Sequence, residues 1–448
     1  MTDVFINSAE PNEAASHFQN FLTSYRDSTG NEFAIESLPA IKLIFGNSRF
    51  LESFLIRQPK AADELKKYSL EHELPILYFS KLCAQSLKQK SDPFAHLKLI
   101  KYQALLRATL RELMGLDQRV TYREWSKAVS AIVGVSIKIL LGETTQKYNF
   151  APNQLCDSAI LSMGKLGGLE VNYSSDIDLI GLYHSDAEFG TISQHEIFER
   201  IFSRLGQVLG KTDENGFLFR VDWDLRPEGR TGVLANSLEA MEAYYSTFGA
   251  DWERQAYVRA NTLWQQSTLG TQFLQMMIPF VYRKSLEETD IKRIVDVQIL
   301  DTQTRVANEL KTKKTDGLNI KLDRGGIRDI EFFIQGLQLI YGGRLAGLRS
   351  QNTLDALDAL HKAGLVQTKP KTILETSYLF LRRVESALQM ENEQQTHLLK
   401  SKPTERLKIA RRLGYKQAPE EAITLLMEQI DTTRRRVSTI FTKFYDRT

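Results

Sequence analysis

Apolar residues recur at helical spacing along the first third of the chain. Leu97, Ile100, Ala104 and Ala108 fall three and four residues apart, as do Leu99, Tyr102, Leu106, Leu110 and Leu113. Two such stripes on one segment predict a helix buried on more than one side. A second helix is predicted over Trp125–Leu141, where Val129, Ile132, Val133, Ser136 and Leu140 share a face. Between Ser16 and Glu143 hardly any stretch alternates with period two, so residues 1–150 read as an all-helical N-terminal unit.

The pattern changes at Ala151-Pro152-Asn153. Ala159–Met163 is a short apolar run leading into Gly164, Gly167 and Gly168. Asp176–Tyr183 then reads as a strand with both aspartates on one face and Ile177 on the other. Ile197, Ile201, Leu205 and Val208 predict a helix ending near Gly210, and Phe217–Leu225 a further strand stopped by Pro227 and Gly229. Asn236 with Glu239 reads as the start of another helix. Residues 151–265 therefore form the only α/β block.

Helical periodicity resumes from about Leu269 and fills 266–448, a C-terminal helical bundle. Gly325-Gly326 opens a helix with Ile327, Ile330, Phe333 (or Ile334) and Leu337 on its apolar face. Leu354–His361, Thr372–Leu388 and Thr404–Leu413 continue as helices, punctuated by Pro370 and Pro403. No repeat of 20–50 residues and no low-complexity linker breaks the series. The fold class is α+β, mostly helical, with a small sheet-bearing core flanked by helical domains.

Composition narrows the function. The 448 residues are enough for several packing units, and 58 basic against 55 acidic residues leave a net charge of +3. A protein that grips phosphate backbones usually carries a clear basic excess, so no nucleic-acid partner is expected. Cys83 and Cys156 are too few for a disulfide framework or a closed cysteine zinc site. MTDVFINSAEPNE lacks a basic region followed by an apolar stretch. The longest apolar run, Ala131–Leu141, is interrupted by Ser136 and Lys138 and is too short to span a bilayer. The expectation is a soluble, reduced, cytoplasmic protein with no membrane partner.

Three pieces carry the candidate chemistry: the loop Gly164-Lys165-Leu166-Gly167-Gly168, the pair Asp176 and Asp178, and Asp222 on the later strand. A strand sets Asp176 and Asp178 on one face, roughly 6–7 Å apart along the chain. Such carboxylates are hard ligands of the kind Mg²⁺ accepts while it keeps water and phosphate oxygens. A third carboxylate on a neighbouring strand allows two metals to be held as a clamp for in-line displacement at phosphorus. The glycines open backbone N–H groups to a phosphate, and Lys165 adds a positive charge. A DxD alone is common on strands and fits a solvated face better than a site. The glycine loop before it and the acidic strand after it turn the reading to metal-dependent nucleotidyl transfer.

The stretches SMGKLGGLEVNYSSDIDLIGLY, FRVDWDLRPEGRTG, DWERQAYVRAN and IKLDRGGIRDIEFFIQGLQLIYGG resemble, in order, those of the glutamine synthetase adenylyltransferase family. That family is built on the nucleotidyltransferase core shared with DNA polymerase β, a small mixed sheet. The resemblance covers about 95–420. It implies that Asp176, Asp178 and Asp222 are catalytic metal ligands for two Mg²⁺ ions. It also implies that Gly164, Lys165, Gly167, Gly168 and Ser175 surround the nucleotide phosphates and that Arg226 meets phosphate. Implied partners are glutamine synthetase, a PII-type signalling protein, AMP, ADP, ATP and phosphate, with glutamine as a control signal.

The family fuses two such halves in a chain about twice this length. The N-terminal half removes AMP from a synthetase tyrosine by phosphorolysis; the C-terminal half adds AMP from ATP. GGIRDIEF at 325–332, LQMENEQQTH at 388–397 and the N-terminal helical unit are more similar to the removing half. Two positions depart from the family: Asp224 stands where Arg is common, and Lys400 where the removing half often has Pro. Phosphate is already anionic at neutral pH, whereas a tyrosine hydroxyl with pKa near 10 needs help to deprotonate. The same metal clamp serves both directions, so the aspartates leave AMP addition open. A catalytically silent half that only binds the synthetase is the rival from another class, and a nucleic-acid nucleotidyltransferase is disfavoured by the charge.

Other candidates have plainer readings. Gly206–Thr212 has three residues between its glycines where a Walker A loop needs four, and it ends a helix. His195-Glu196 lacks a second histidine at zincin spacing. Arg328, Asp329 and Glu331 stand at a helix start as cleft residues or as an exposed charge pattern. Trp252, Glu253 and Arg254 fit packing and pairing as well as ligand binding. Lys311, Lys313 and Lys314 read as a solvated basic loop, and His397 is assigned no chemistry.

Overall fold

The computed structural model describes residues 5–89, 92–151, 154–186, 188–189, 192–263, 268–284, 286–287, 289–290, 293 and 316–445. The basic run at Lys311, Lys313 and Lys314 lies outside them, as do Pro152 and Asn153. The two N-terminal helical stripes become helices Pro93–Leu113 and Gln118–Tyr148. Asp92 and Asp117 cap them, each accepting two backbone N–H groups. The second has 31 residues, and its most apolar stretch is long enough to cross a bilayer by composition. Two thirds of that stretch (67%) is buried inside the protein, against the first helix and helix Gln194–Gly210. The run Ala131–Leu141, too short by itself, is thus part of a longer core helix.

Nine strands follow among the described residues: β1 Ser158–Ser162, β2 Ile177–Tyr183, β3 Glu188–Phe189, β4 Ile192–Ser193, β5 Val221–Asp222, β6 Ala235–Ser237, β7 Asn261–Thr262, β8 Gly317–Asn319 and β9 Leu398–Lys400. β2 is the axis of a mixed sheet. It runs antiparallel to β1, which is antiparallel to β7, and on its other edge it runs parallel to β5 and β6. Period-two alternation sorts the faces. Ile160, Ile177, Leu179 and Tyr183 join the N-terminal helices in one core. Leu161, Ile180 and Leu182 face a second core built from Met241, Tyr245, Phe273 and the end of helix Ile327–Tyr341. A third core holds the C-terminal helices together around Leu357, Leu381 and Ile430.

Several sequence expectations are corrected. The predicted strand Phe217–Leu225 is only Val221–Asp222. Leu218 and Phe219 instead donate their N–H groups to Leu209 O at the end of helix Gln194–Gly210, at 3.0 and 2.9 Å. After Asp222 the chain turns, with Arg226 N–H donating to Trp223 O at 3.2 Å. β2 begins at Ile177, so Asp176 immediately precedes it. Asn236 lies in β6, and Ser237 is the cap of helix Leu238–Thr247, its Oγ accepting from Ala240 N. Pro370 does not end a helix; it sits in the first turn of Thr368–Gln389, where the N–H it lacks has no intrahelical partner. The C-terminal region also contains the β8–β9 ribbon and a 27-residue helix, Pro419–Tyr445.

Candidate active site

The loop that delivers the first aspartate is bedded on both helical regions. Trp125 Nε1 donates to Asn172 O at 3.1 Å, and Val171 N–H to Ser126 Oγ at 2.9 Å, fixing it to helix Gln118–Tyr148. Ser174 N–H donates to Gln389 Oε1 at 2.9 Å, and Ser174 Oγ to Glu393 O at 2.8 Å. Residues 171–174 are therefore held from two sides before the chain enters β2.

Parallel pairing then sets Asp178 in register with Asp222 on the adjacent strand, so the two carboxylates share a face. Gly164 abuts the pair: at φ +52° it occupies the left-handed region, and a Cβ there would collide with Asp178 Oδ2. Burial, helped by the neighbouring charge of Asp222, pushes the Asp178 carboxyl up to about 6, while Lys321 and Lys165 pull the other way. Asp176 precedes this pair and turns Oδ1 to Arg220 Nε at 2.7 Å. The same guanidinium donates to Ser174 O and Ser174 Oγ at 3.1 and 3.0 Å. Asp222 Oδ1 accepts from Asp224 N–H at 2.7 Å. Asp224 itself pairs outward with Arg230, Nε to Oδ2 2.6 Å.

Among the described residues no three carboxylate, imidazole or thiol side chains stand gathered as a metal cluster. The donor chemistry nonetheless fits a divalent cation. Asp178 and Asp222 are adjacent hard ligands whose mutual repulsion a cation would relieve, and the missing Cβ of Gly164 leaves Asp178 Oδ2 its room. Asp176 keeps Oδ2 outside its bond to Arg220.

The other residues singled out from the sequence are placed as follows. Gly164–Gly167 is one helical turn. The N–H groups of Gly167 and Gly168 are used within it, donating to Met163 O and Gly164 O at 3.0 and 3.1 Å. Gly167 allows close backbone approach, since a Cβ would strike the carbonyl oxygens of Arg259 and Ser162; one on Gly168 would meet Gln351 O. Ser175 Oγ bonds to Asn172 Oδ1. Arg226 is buried, and its Nε, Nη1 and Nη2 donate to Gly232 O, Trp223 O and Arg230 O at 2.9, 2.9 and 3.1 Å. It braces the turn after β5.

Lys165 is directed to Glu385, Nζ to Oε1 3.0 Å. Burial brings its ammonium down to about 8, against the pull of Glu385. Burial works to raise Glu385 as well, but Lys165, His397 and Arg382 overcome it and hold the carboxylate well below its usual range. His397 Nδ1 lies 2.8 Å from Glu385 Oε1, and burial lowers the pKa of its imidazole. A second buried carboxylate, Glu170, engages Arg259 and accepts from Tyr378 OH at 2.6 Å, while Arg259 Nη1 reaches Glu331 Oε1 at 2.9 Å. Glu331 is thus part of a buried network beneath the glycine turn. Among the described residues the Arg328 guanidinium donates through Nη2 alone, to Leu322 O at 3.1 Å, and Asp329 Oδ2 accepts from Gly325 N–H at 2.7 Å. Glu253 Oε2 caps its own helix, accepting from Ala250 N–H at 2.7 Å. Arg220, Glu170 and Glu385 were not legible from the sequence, because their partners are remote along the chain.

A mixed sheet carrying paired aspartates beside a glycine turn, enclosed by helices, defines a nucleotidyltransferase-type core. The family pattern of glutamate-ammonia ligase adenylyltransferase matches residues 38–276, and the chain belongs to that family. The pattern of PII-uridylyltransferase matches residues 293–445. The bifunctional glutamine synthetase adenylyltransferase/adenylyl-removing enzyme of Shewanella loihica is 34% identical over 86% of this chain and 41% of its own length. The enzymes of the same name from Stenotrophomonas maltophilia (strain K279a) and Bordetella pertussis are 36% and 41% identical. They cover 79% and 58% of this chain, and 38% and 29% of the relative. The chain spans about two fifths of the length of the Shewanella relative.

Proposed function

We propose that this chain removes AMP from an adenylylated tyrosine of glutamine synthetase by phosphorolysis, releasing ADP, with Mg²⁺ held by Asp176, Asp178 and Asp222. The observation that carries the reading is the in-register pair Asp178 and Asp222 beside Gly164, in a chain of this family. When bound, magnesium supplies Lewis-acid neutralisation of charge on the phosphate oxygens. An oxygen of inorganic phosphate attacks the adenylyl phosphorus, and the bond from phosphorus to the tyrosine oxygen breaks. The phenolate takes a proton from water, and AMP departs joined to the phosphate as ADP. Asp178 and Asp222 contribute by crowding negative charge at one spot. Gly164 contributes clearance, and Arg220 balances the Asp176 charge until a metal takes its place.

The resemblance of 325–332 and 388–397 to the removing half of the family supports removal over addition. The match of 293–445 to PII-uridylyltransferases supports a PII-type signalling protein as a regulator of the C-terminal helices. The test incubates the chain with adenylylated synthetase, Mg²⁺ and inorganic phosphate. ADP formation with loss of AMP from the synthetase is expected. Pyrophosphate release from ATP with unmodified synthetase, and no ADP in the first assay, overturns the direction. Binding of the synthetase with turnover in neither assay overturns the activity and leaves a regulatory half.

A further inference from the structure

We propose that Lys321, delivered from the C-terminal region, is the cation that seats a phosphoryl oxygen at this site; the inference rests on the nucleotidyl-transfer reading above. A site that handles phosphate needs a positive charge free to meet it, and the lysine of the glycine turn is not free. Lys165 is held by Glu385 at 3.0 Å. Arg226 is tied to three carbonyls of its own turn, and Arg220 is engaged with Asp176. Among the described residues Lys321 has no carboxylate within ion-pair distance and no acceptor for its ammonium.

Its backbone, by contrast, is fixed on each side. Lys321 N–H donates to Asn319 Oδ1 at 3.1 Å, and Lys321 O accepts from Arg328 N–H at 3.1 Å. The preceding residue, Ile320, is fully buried in the C-terminal core and donates its N–H to His397 O at 2.9 Å. His397 stands against Glu385, which holds Lys165, the residue after Gly164 at Asp178. This chain of contacts ties the backbone beside Lys321, just after β8, to the glycine turn that abuts Asp178. The positive charge of Lys321 acts on Asp178, Lys165, Glu331 and His397, four groups from four separate segments. Gly326 has a reason in the same geometry: a Cβ there would lie 2.7 Å from Lys321 O, Ile320 O and Asp323 O, so only glycine lets the turn fold back this tightly.

An ammonium so placed is a preorganised donor for a phosphate oxygen, and its partner is a phosphomonoester or orthophosphate. Two sources share that chemistry, the phosphate of the nucleotide and the incoming phosphate. The experiment measures binding of AMP, ADP, orthophosphate and adenosine to the full chain by calorimetry with Mg²⁺ present. It compares the parent with Lys321→Met and Lys321→Arg, and records melting temperatures alongside. Lys321→Met is expected to weaken ADP about tenfold or more, to leave adenosine unchanged, and to be partly rescued by Lys321→Arg. Weaker AMP places Lys321 on the nucleotide phosphate; weaker orthophosphate with unchanged AMP places it on the incoming phosphate. Unchanged affinity for all three phosphates, or a fall in melting temperature as the sole effect, overturns the proposal while the site reading stands. A parent chain that binds none of the phosphates overturns both. If Lys321→Met does not fold, Lys321→Gln is measured in its place.

Discussion

Asp176 and Arg220 meet at the entrance of β2, the guanidinium Nε 2.7 Å from the carboxylate Oδ1. The pair is about one-third exposed on each side (37% and 32%), so its strength is modest and screened by salt. On the proposed reading a metal would have to displace Arg220 from Asp176, and a pair of this strength would not exclude it. Arg220→Ala is expected to lower the Mg²⁺ concentration for half-maximal ADP release by about two- to fivefold, the range a partly exposed ion pair commands. A magnesium titration of the parent and the variant checks this. A higher midpoint in the variant would assign Arg220 to aiming Asp176 instead.

Asp222 and Asp224 lie two residues apart but do different things. Asp222 is in register with Asp178, whereas Asp224 Oδ2 faces Arg230, whose side chain is 85% exposed. On the proposed reading Asp178→Asn, Asp176→Asn and Asp222→Asn are each expected to reduce turnover by about a hundredfold or more with the fold intact, because they would remove charge from the metal clamp and not from the core. Asp224→Asn is expected to stay within about tenfold, as loss of a surface pair. Turnover numbers alongside far-ultraviolet circular dichroism check the series, and equal losses at Asp222 and Asp224 would mean that the third ligand is misassigned.

Lys165 and the buried Glu385 form a partly buried pair across 220 residues of sequence. Glu385 is fully buried and also faces Arg382 and His397, at 3.1 and 2.8 Å. Removing one charge leaves the others uncompensated, so Glu385→Gln is expected to destabilise the chain by about 3–5 kcal/mol. Lys165→Met in that background should cost less than it does alone, with a coupling of about 1 kcal/mol or more. Urea unfolding of both single variants and the double variant checks this; simple additivity would show that the pair contributes nothing as a pair.

The contrast between these residues explains what could be read in advance. Helices with a clean apolar period, such as Ile197-Ile201-Leu205-Val208, and strands whose two faces enter different cores, such as Ile177–Tyr183, announce themselves locally. The aspartates could be singled out only in combination, because a DxD on a strand is common and drew notice through the glycine turn before it and the acidic strand after it. The segment FLFRVDWDL imitates a long strand, yet the end of a neighbouring helix takes its first N–H groups. Gly167 reads as a phosphate-loop glycine, but the carbonyl of Arg259, 92 positions further along the sequence, dictates its lack of a side chain. Lys165 and Arg226 read as phosphate ligands, and their partners are carboxyl or carbonyl groups that only tertiary packing brings near. Alternation and periodicity carry no information about such contacts.

Glu112 supplies a pH dependence that is separate from the chemistry. It is buried in helix Pro93–Leu113, and desolvation raises its carboxyl to about 7, only partly offset by Ser386, Arg383 and Arg382. In the unfolded chain the same group titrates near the ordinary glutamate value of 4.5. Between these values the folded chain keeps a proton that the unfolded chain has lost, so this group makes stability fall as pH rises from about 4.5 to about 7 and adds no further slope above that. The span of roughly 2.5 pH units corresponds to about 3 kcal/mol of destabilisation, fully present at pH 8 and absent at pH 4. Glu112→Gln keeps the shape and removes the titration. Compared with the parent by urea unfolding, the variant is expected to gain about 3 kcal/mol more at pH 8 than at pH 4. An equal difference at both pH values would show that folding leaves the Glu112 pKa where the unfolded chain has it.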